Sequence, residues 1–395
     1  MGTETIGEGA EPCGASRPQS KPNRTPGRLG SLDAFRGAVI ASMILVNNPG
    51  SSDHVYAQLA HVEWHGLTFT DVIAPAFLWT IGVTTALSLS RRLQAGFSRS
   101  GLFRHVARRA ALLYLVGIFL SIFPDFLPIP YFSMLGGVPV MGILQRIAIC
   151  YLFGSAIFFL GFSIRGHGAC ATTLLVSYWL LLVWFPGPAT GSGPFDPGGN
   201  FAHVLDRHVL GRFAETGSHP LLTILTATAT VLIGTLVGQR LQAGGSPRDK
   251  ALWLLTAGIA LSVLGVLVGQ WTPINRRLWT PSFCLLSAGM ATVVFTLFYW
   301  AIEVFRMRRG VGWLIAYGVN PIFLFVASEM GRTLANTKGV TDRAGQWHSL
   351  WAVGYEGLLH VADPKNASLL YGLAYTILLG VVAVVMFRRG WIVKI

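Results

Sequence analysis

Apolar residues along this chain come in long blocks, not in the short alternations of strands or the stripes of surface helices. Ten blocks stand out: about Leu32–Val46, Leu67–Ser90, Ala110–Ile122, Gly142–Phe162, Ala169–Phe185, Leu221–Gly238, Ala251–Gln270, Ser282–Phe305, Val311–Met330 and Ala367–Phe387. Several approach the roughly 20 residues that a helix needs to cross a bilayer. The pattern predicts an all-α, polytopic membrane protein of about ten transmembrane helices, in one domain over 30–395. Residues 1–29 are rich in Gly, Pro, Ser and charge, without an apolar core, and read as a disordered tail.

Composition agrees. Of the 395 residues 52% are hydrophobic and 12% charged, against about 25% charged in ordinary globular domains. Mean hydropathy is +0.54. The formal charge of +13 would suggest nucleic acid in a soluble protein. Here the basic residues fall between apolar blocks, which points to topology and anionic lipid instead. With the N-terminus in the cytoplasm, 20 Lys and Arg fall in cytoplasmic segments and 8 in outside loops. Both termini are therefore expected inside. The loop carrying His61 and His65 is expected outside. The four cysteines show neither metal-ligand spacing nor a disulfide framework.

The densest chemistry lies just before and inside the second block. His61, Glu63, Trp64 and His65 precede it, and Asp71 sits one turn within it. A carboxylate there is costly and usually finds a partner. Asp71 is expected either to orient His61 or His65 or to make a helix–helix hydrogen bond. A histidine can act as base or nucleophile near neutral pH, or simply bond the backbone. Two histidines four apart do not make a zinc site, and no metal is expected. Asn47 and Asn48 could polarise a carbonyl or cap the turn at Pro49-Gly50. Asp33 and Arg36 can pair on one helix face, with a phosphate-binding role for Arg36 as the alternative to a structural ion pair. Gln145 and Arg146 stand near the outer end of the fourth block. Alone, these features do not separate an enzyme from a transporter.

Several stretches resemble the heparan-α-glucosaminide N-acetyltransferase family. They are Leu32-Asp33-Ala34-Phe35-Arg36-Gly37, Met43 to Gly50, His61 to Phe77, Gly142 to Ile147 with Tyr151, Pro273 to Phe283, and Gly318-Val319-Asn320-Pro321. The resemblance implies acetyl transfer across a membrane from cytosolic acetyl-CoA to an amino sugar or glycan. It places the catalytic histidine on His61, with Asn47 as its companion, and Asp71 joins them as a catalytic candidate from its position. Asp33, Arg36, Gln145 and Arg146 are taken as donor-binding. Bacterial relatives share the block, so an inner (cytoplasmic) membrane is expected, and a homodimer is entertained. His65 stands where relatives often have Asn, and Thr216 to Pro220 where they carry an Asp-Pro-Glu-Gly-like segment. The rival reading is an amino-sugar permease that keeps the scaffold without transfer.

Overall fold

The computed structural model describes residues 29–123, 141–185, 193–197, 199–211, 220–307, 309–341 and 345–393. The expected tail lies outside them, apart from Leu29. Thirteen α-helices and one small hairpin, with short 3₁₀ turns and a π-helical turn, make up the regular structure of the described residues. The long elements are α1 (Gly30–Asn47), α2 (Phe69–Gln94), α3 (Arg99–Ile122), α4 (Ile143–Phe159), α5 (Ile164–Trp184), α7 (Ile224–Gln242), α8 (Pro247–Val268), α9 (Pro281–Tyr299), α11 (Pro321–Thr337) and α13 (Pro364–Arg388). Shorter helices are α6 (Phe201–Leu210), α10 (Gly312–Val319) and α12 (Leu350–Leu359). Strands β1 (Gly339–Thr341) and β2 (Trp347–Ser349) pair antiparallel.

The boundaries follow from the sequence. Side chains of Ser98, Ser163, Asn200, Ser246, Ser349 and Asp363 accept hydrogen bonds from the first turns of α3, α5, α6, α8, α12 and α13. Proline opens α8, α9, α11 and α13, where its missing N–H costs nothing. The Thr68 and Asp71 side chains form a reciprocal capping box on α2.

All ten apolar blocks are helical, and the chain is an integral membrane protein. Among the described residues seven helices are long and apolar enough to cross a membrane, or eight if α10 and α11 count as one span. The other two expected spans are the seventeen-residue α4 and α1, which carries Asp33 and Arg36. The ninth block is not straight. It breaks at Asn320–Pro321, and its halves meet at 81°. Proline lacks the N–H and crowds the preceding turn, so α10 ends there. The two long loops also hold structure that their Gly and Pro content hid: α6 in one, the hairpin and α12 in the other.

Helices meet through glycine. A β-carbon at Gly82 would lie 1.9 Å from the Val231 carbonyl oxygen, and one at Gly234 would lie 2.1 Å from that of Trp79. Thus α2 and α7 touch backbone to backbone. Gly37 and Gly318 do the same for α1 and α10, at 1.8 Å from Leu314 O and 1.9 Å from Asp33 O. Close approach of this kind drives association in lipid, where apolar side chains gain little by leaving the acyl chains. It makes α2 and α7 the buried centre, while α3, α5, α8 and α13 turn most of their surface outward. Phe35, Trp79 and Phe295 fill the middle with ring contacts of 5.3–5.7 Å.

Candidate functional site

Helix α2 carries polar chemistry at both ends. Asp71 lies in its first turn and Arg92 in its last, about 30 Å apart along the axis at 1.5 Å per residue.

At the Asp71 end, the carboxylate is fully buried and each oxygen has a task. Oδ2 accepts the Thr68 N–H at 3.0 Å and the Thr68 hydroxyl at 2.9 Å, which fixes it to the helix start. Oδ1 faces His61 Nδ1 at 2.8 Å. With Nδ1–H donated to the carboxylate, the lone pair resides on Nε2. That nitrogen has no hydrogen-bond partner among the described residues, and the His61 side chain is 44% exposed. Buried anion, oriented imidazole and open ring nitrogen together form the arrangement that activates a histidine.

A third residue joins them. Arg276 Nε lies 3.0 Å from the same Asp71 Oδ1. Its N–H is not aligned on that oxygen, so charge holds the contact more than a directed hydrogen bond. Partial burial lowers the pKa of Arg276, while Asp71 favours its charged form. The turn that presents Arg276 is tightly determined. Asn275 Oδ1 accepts the Leu278 N–H at 2.8 Å, and Thr280 Oγ1 donates to Pro273 O at 2.8 Å. Trp279 is held there at φ 48°, a left-handed conformation unusual for a bulky residue. Gly66 N donates to Ile274 O at 2.8 Å, and His65 Nδ1 meets Asn275 Nδ2 at 3.3 Å, so the histidine loop is tied to this turn.

Trp64, three residues after His61 on the same loop, forms an aromatic shelf. Trp64 Nε1 donates to Phe195 O at 2.8 Å. The Arg277 guanidinium sits 5.9 Å from the Trp64 ring, and His203 lies 6.1 Å from it. Burial, with Arg207 and Arg277 nearby, pushes the His203 imidazole below its ordinary pKa. Behind the shelf, burial raises the Asp206 carboxyl to about 6, although it accepts the Leu221 N–H at 2.8 Å.

The expected residues divide. His61 and Asp71 are brought together. Asn47, half-buried at the end of α1, makes no hydrogen bond to either among the described residues, whereas Asn48 is buried and reaches Ser328 Oγ at 3.1 Å. Arg146 is fully buried near the start of α4, over the Trp279 ring at 4.6 Å and against the Thr223 hydroxyl. Gln145 is buried beside it in sequence. Both stand toward the His61 end, near the starts of α4, α7 and α9.

Asp33 and Arg36 lie at the other end. Arg36 Nη2 donates to Asp33 Oδ1 at 2.8 Å, and Nε to Gly318 O at 2.7 Å. Arg36 lines a cavity with Arg92, His105, Arg108 and Arg109. Among the described residues no carboxylate is in ion-pair range of Arg92, Arg108 or Arg109. The cavity narrows inward past Thr84 and Thr80 to Phe77 and Ile147. Phe77 is six residues from Asp71 on the same helix, about 9 Å along the axis. The four residues expected to bind one donor therefore sit in two groups, toward opposite ends of the bundle. Arg276 and Thr68 were missed as site residues. The sequence signals for Arg276 were its place in the family-like stretch Pro273 to Phe283 and the tandem arginine in a turn otherwise without charge.

Comparison with known proteins follows the same residues. Residues 28–188 match the profile of the family described as heparan-alpha-glucosaminide N-acetyltransferase, catalytic. The matched segment holds α1 to α5, hence Asp33, Arg36, His61, Asp71 and the basic segment of α3. Heparan-alpha-glucosaminide N-acetyltransferase of Mus musculus is 25% identical over 378 aligned positions, taking in 81% of this chain and 56% of the mouse protein. Its Homo sapiens counterpart is 26% identical over 364 positions, with 77% and 53% covered. The chain thus spans about half the length of the curated relatives it matches.

Proposed function

We propose that this protein is a membrane acetyltransferase that takes an acetyl group from acetyl-CoA at its Arg36 end and delivers it to an amino sugar or glycan at its His61 end. The Arg36 end faces the cytoplasm on this reading, as the distribution of Lys and Arg expects, and both chain termini lie there. The observation that carries the proposal is the open Nε2 of an imidazole held from behind by a buried carboxylate. The names of the relatives support acetyl transfer as the reaction.

The donor's phosphates suit a cavity faced by Arg36, Arg92, Arg108 and Arg109, since guanidinium groups bind phosphate by charge and by paired N–H groups. The cavity's narrow extension suits the thin thioester arm, whose acetyl end would approach the His61 side. There His61 Nε2 either attacks the acetyl carbon, with the C–S bond breaking and the CoA thiolate leaving, or takes the proton of the attacking amine. Both uses need the same lone pair, and Asp71 stabilises the imidazolium formed in either. Asn47 is proposed to polarise the acetyl carbonyl. The Trp64 shelf offers a flat apolar face for a sugar ring. Ionisable groups gathered toward the two ends support transfer over transport, whose substrate sites lie at the bilayer midplane.

The test is release of free thiol from acetyl-CoA by the purified protein, with glucosamine as acceptor. Release that His61→Ala abolishes supports the assignment. Release by His61→Ala at the wild-type rate would falsify it.

A further inference from the structure

Asn320 stands at the 81° corner between α10 and α11, is 1% exposed, and uses both ends of its carboxamide. Nδ2 donates to Trp391 O at 2.8 Å, and Oδ1 accepts the Val393 N–H at 2.9 Å. Both partners are backbone groups of the segment that follows α13. The side chain thus does what a neighbouring strand's peptide group would do, and holds that segment extended. Gly390, at φ +71°, turns the chain out of α13, and Trp391 N closes the turn on Met386 O at 2.9 Å. The Arg389 guanidinium lies over the Trp391 ring at 5.2 Å. Ile392 and Val393 then form part of the wall of the cationic cavity that Arg92 and Arg109 also line. Two residues before the corner, Gly318 O accepts from Arg36. One corner therefore fixes both a cavity cation and a cavity wall.

We propose that the Trp391–Val393 segment, latched by Asn320, presents Ile392 and Val393 as the wall of the donor cavity that sets affinity for the nucleotide end of a CoA-type donor. The inference rests on the donor reading given above. The wall supplies what the arginines lack: an apolar surface for a purine ring. Asn320 is a positioning residue, acting on the donor only through the segment it holds.

The experiment is calorimetric titration of the full chain in detergent with CoA, and separately with adenosine 3′,5′-bisphosphate and with pantetheine. Two variants are compared with wild type: Asn320→Ala, and a chain stopped after Gly390. The Kd for CoA and for the bisphosphate is expected to rise about tenfold in each, the scale of one or two lost contacts. Pantetheine binding should not change. Combining the two changes should add nothing to the truncation. A truncated chain that binds CoA within twofold of wild type overturns the inference, whatever Asn320→Ala does to the helix corner. Wild-type protein that binds no CoA would instead overturn the donor reading, and this inference with it.

Discussion

His61 Nδ1 and Asp71 Oδ1 are ten residues apart in sequence and 2.8 Å apart in space, joined across the start of a helix that Asp71 itself caps. One carboxylate orients the imidazole with one oxygen and nails down its own helix turn with the other. Structure and chemistry cannot be separated at this residue. Asp71→Asn should cut the rate of acetyl transfer by about a hundredfold or more, as loss of an orienting carboxylate does elsewhere. The KM for acetyl-CoA should barely move. Leaving Arg276 without its anion should also cost about 1 kcal/mol of stability, the scale of a partly exposed charge contact. Steady-state kinetics and thermal melting check the two halves.

Arg276 makes a separable prediction. It meets Asp71 by charge more than by aligned hydrogen bonds, so Arg276→Lys should keep much of the activity and Arg276→Gln should not. A difference of about tenfold between the two variants is expected, from the worth of a partly exposed charge contact. Equal loss in both would mean that guanidinium shape, not charge, matters.

At the other end of α2, Arg92→Gln with Arg109→Gln should raise the KM for acetyl-CoA while kcat stays near wild type. The wild-type KM should rise with salt, and that dependence should flatten in the double variant, because screening acts on charges the variant no longer has. Initial rates at several salt concentrations decide it.

Asp206 predicts a pH effect on stability. Its pKa in the fold is about 6, raised from 3.8 by burial. The folded chain therefore holds a proton that the unfolded chain has lost between those values. The stability it contributes is fully present below about 3.8 and is lost as pH rises through about 6. The melting temperature in detergent should show an excess fall over that interval. Asp206→Asn should remove the excess.

Gly82→Ala puts a methyl 1.9 Å from the Val231 carbonyl oxygen, and the helices must part. A loss of about 3 kcal/mol or more is expected, at the upper end for overpacking, read as a lower melting temperature in detergent.

How much of this was legible beforehand differs by level. The ten apolar blocks gave the helices because twenty apolar residues in a row have few other fates. The break at Asn320–Pro321 was hidden because apolar residues continue on both sides of it. Helices α6 and α12 were hidden because ten residues in a loop carry too few turns to show a period. His61 and Asp71 were legible as a pair because a single loop and one helical turn connect them. Arg276 was not, since only the packing of α9 beside α2 brings it there. Arg36 and Arg146 look alike in sequence, each an arginine in an apolar block. Helix direction separates them: Arg36 is near the start of α1, which begins at one end of the bundle, and Arg146 near the start of α4, which begins at the other.

The account's central claim is that donor and acceptor meet this protein from opposite sides. Protein reconstituted into sealed vesicles, with acetyl-CoA trapped inside and glucosamine added outside, tests it without any need to fix orientation. N-acetylglucosamine should form in that arrangement and vanish in His61→Ala. With both substrates outside and none within, intact vesicles should make no product until detergent opens them. Product from intact vesicles with both substrates on the same side would contradict the account.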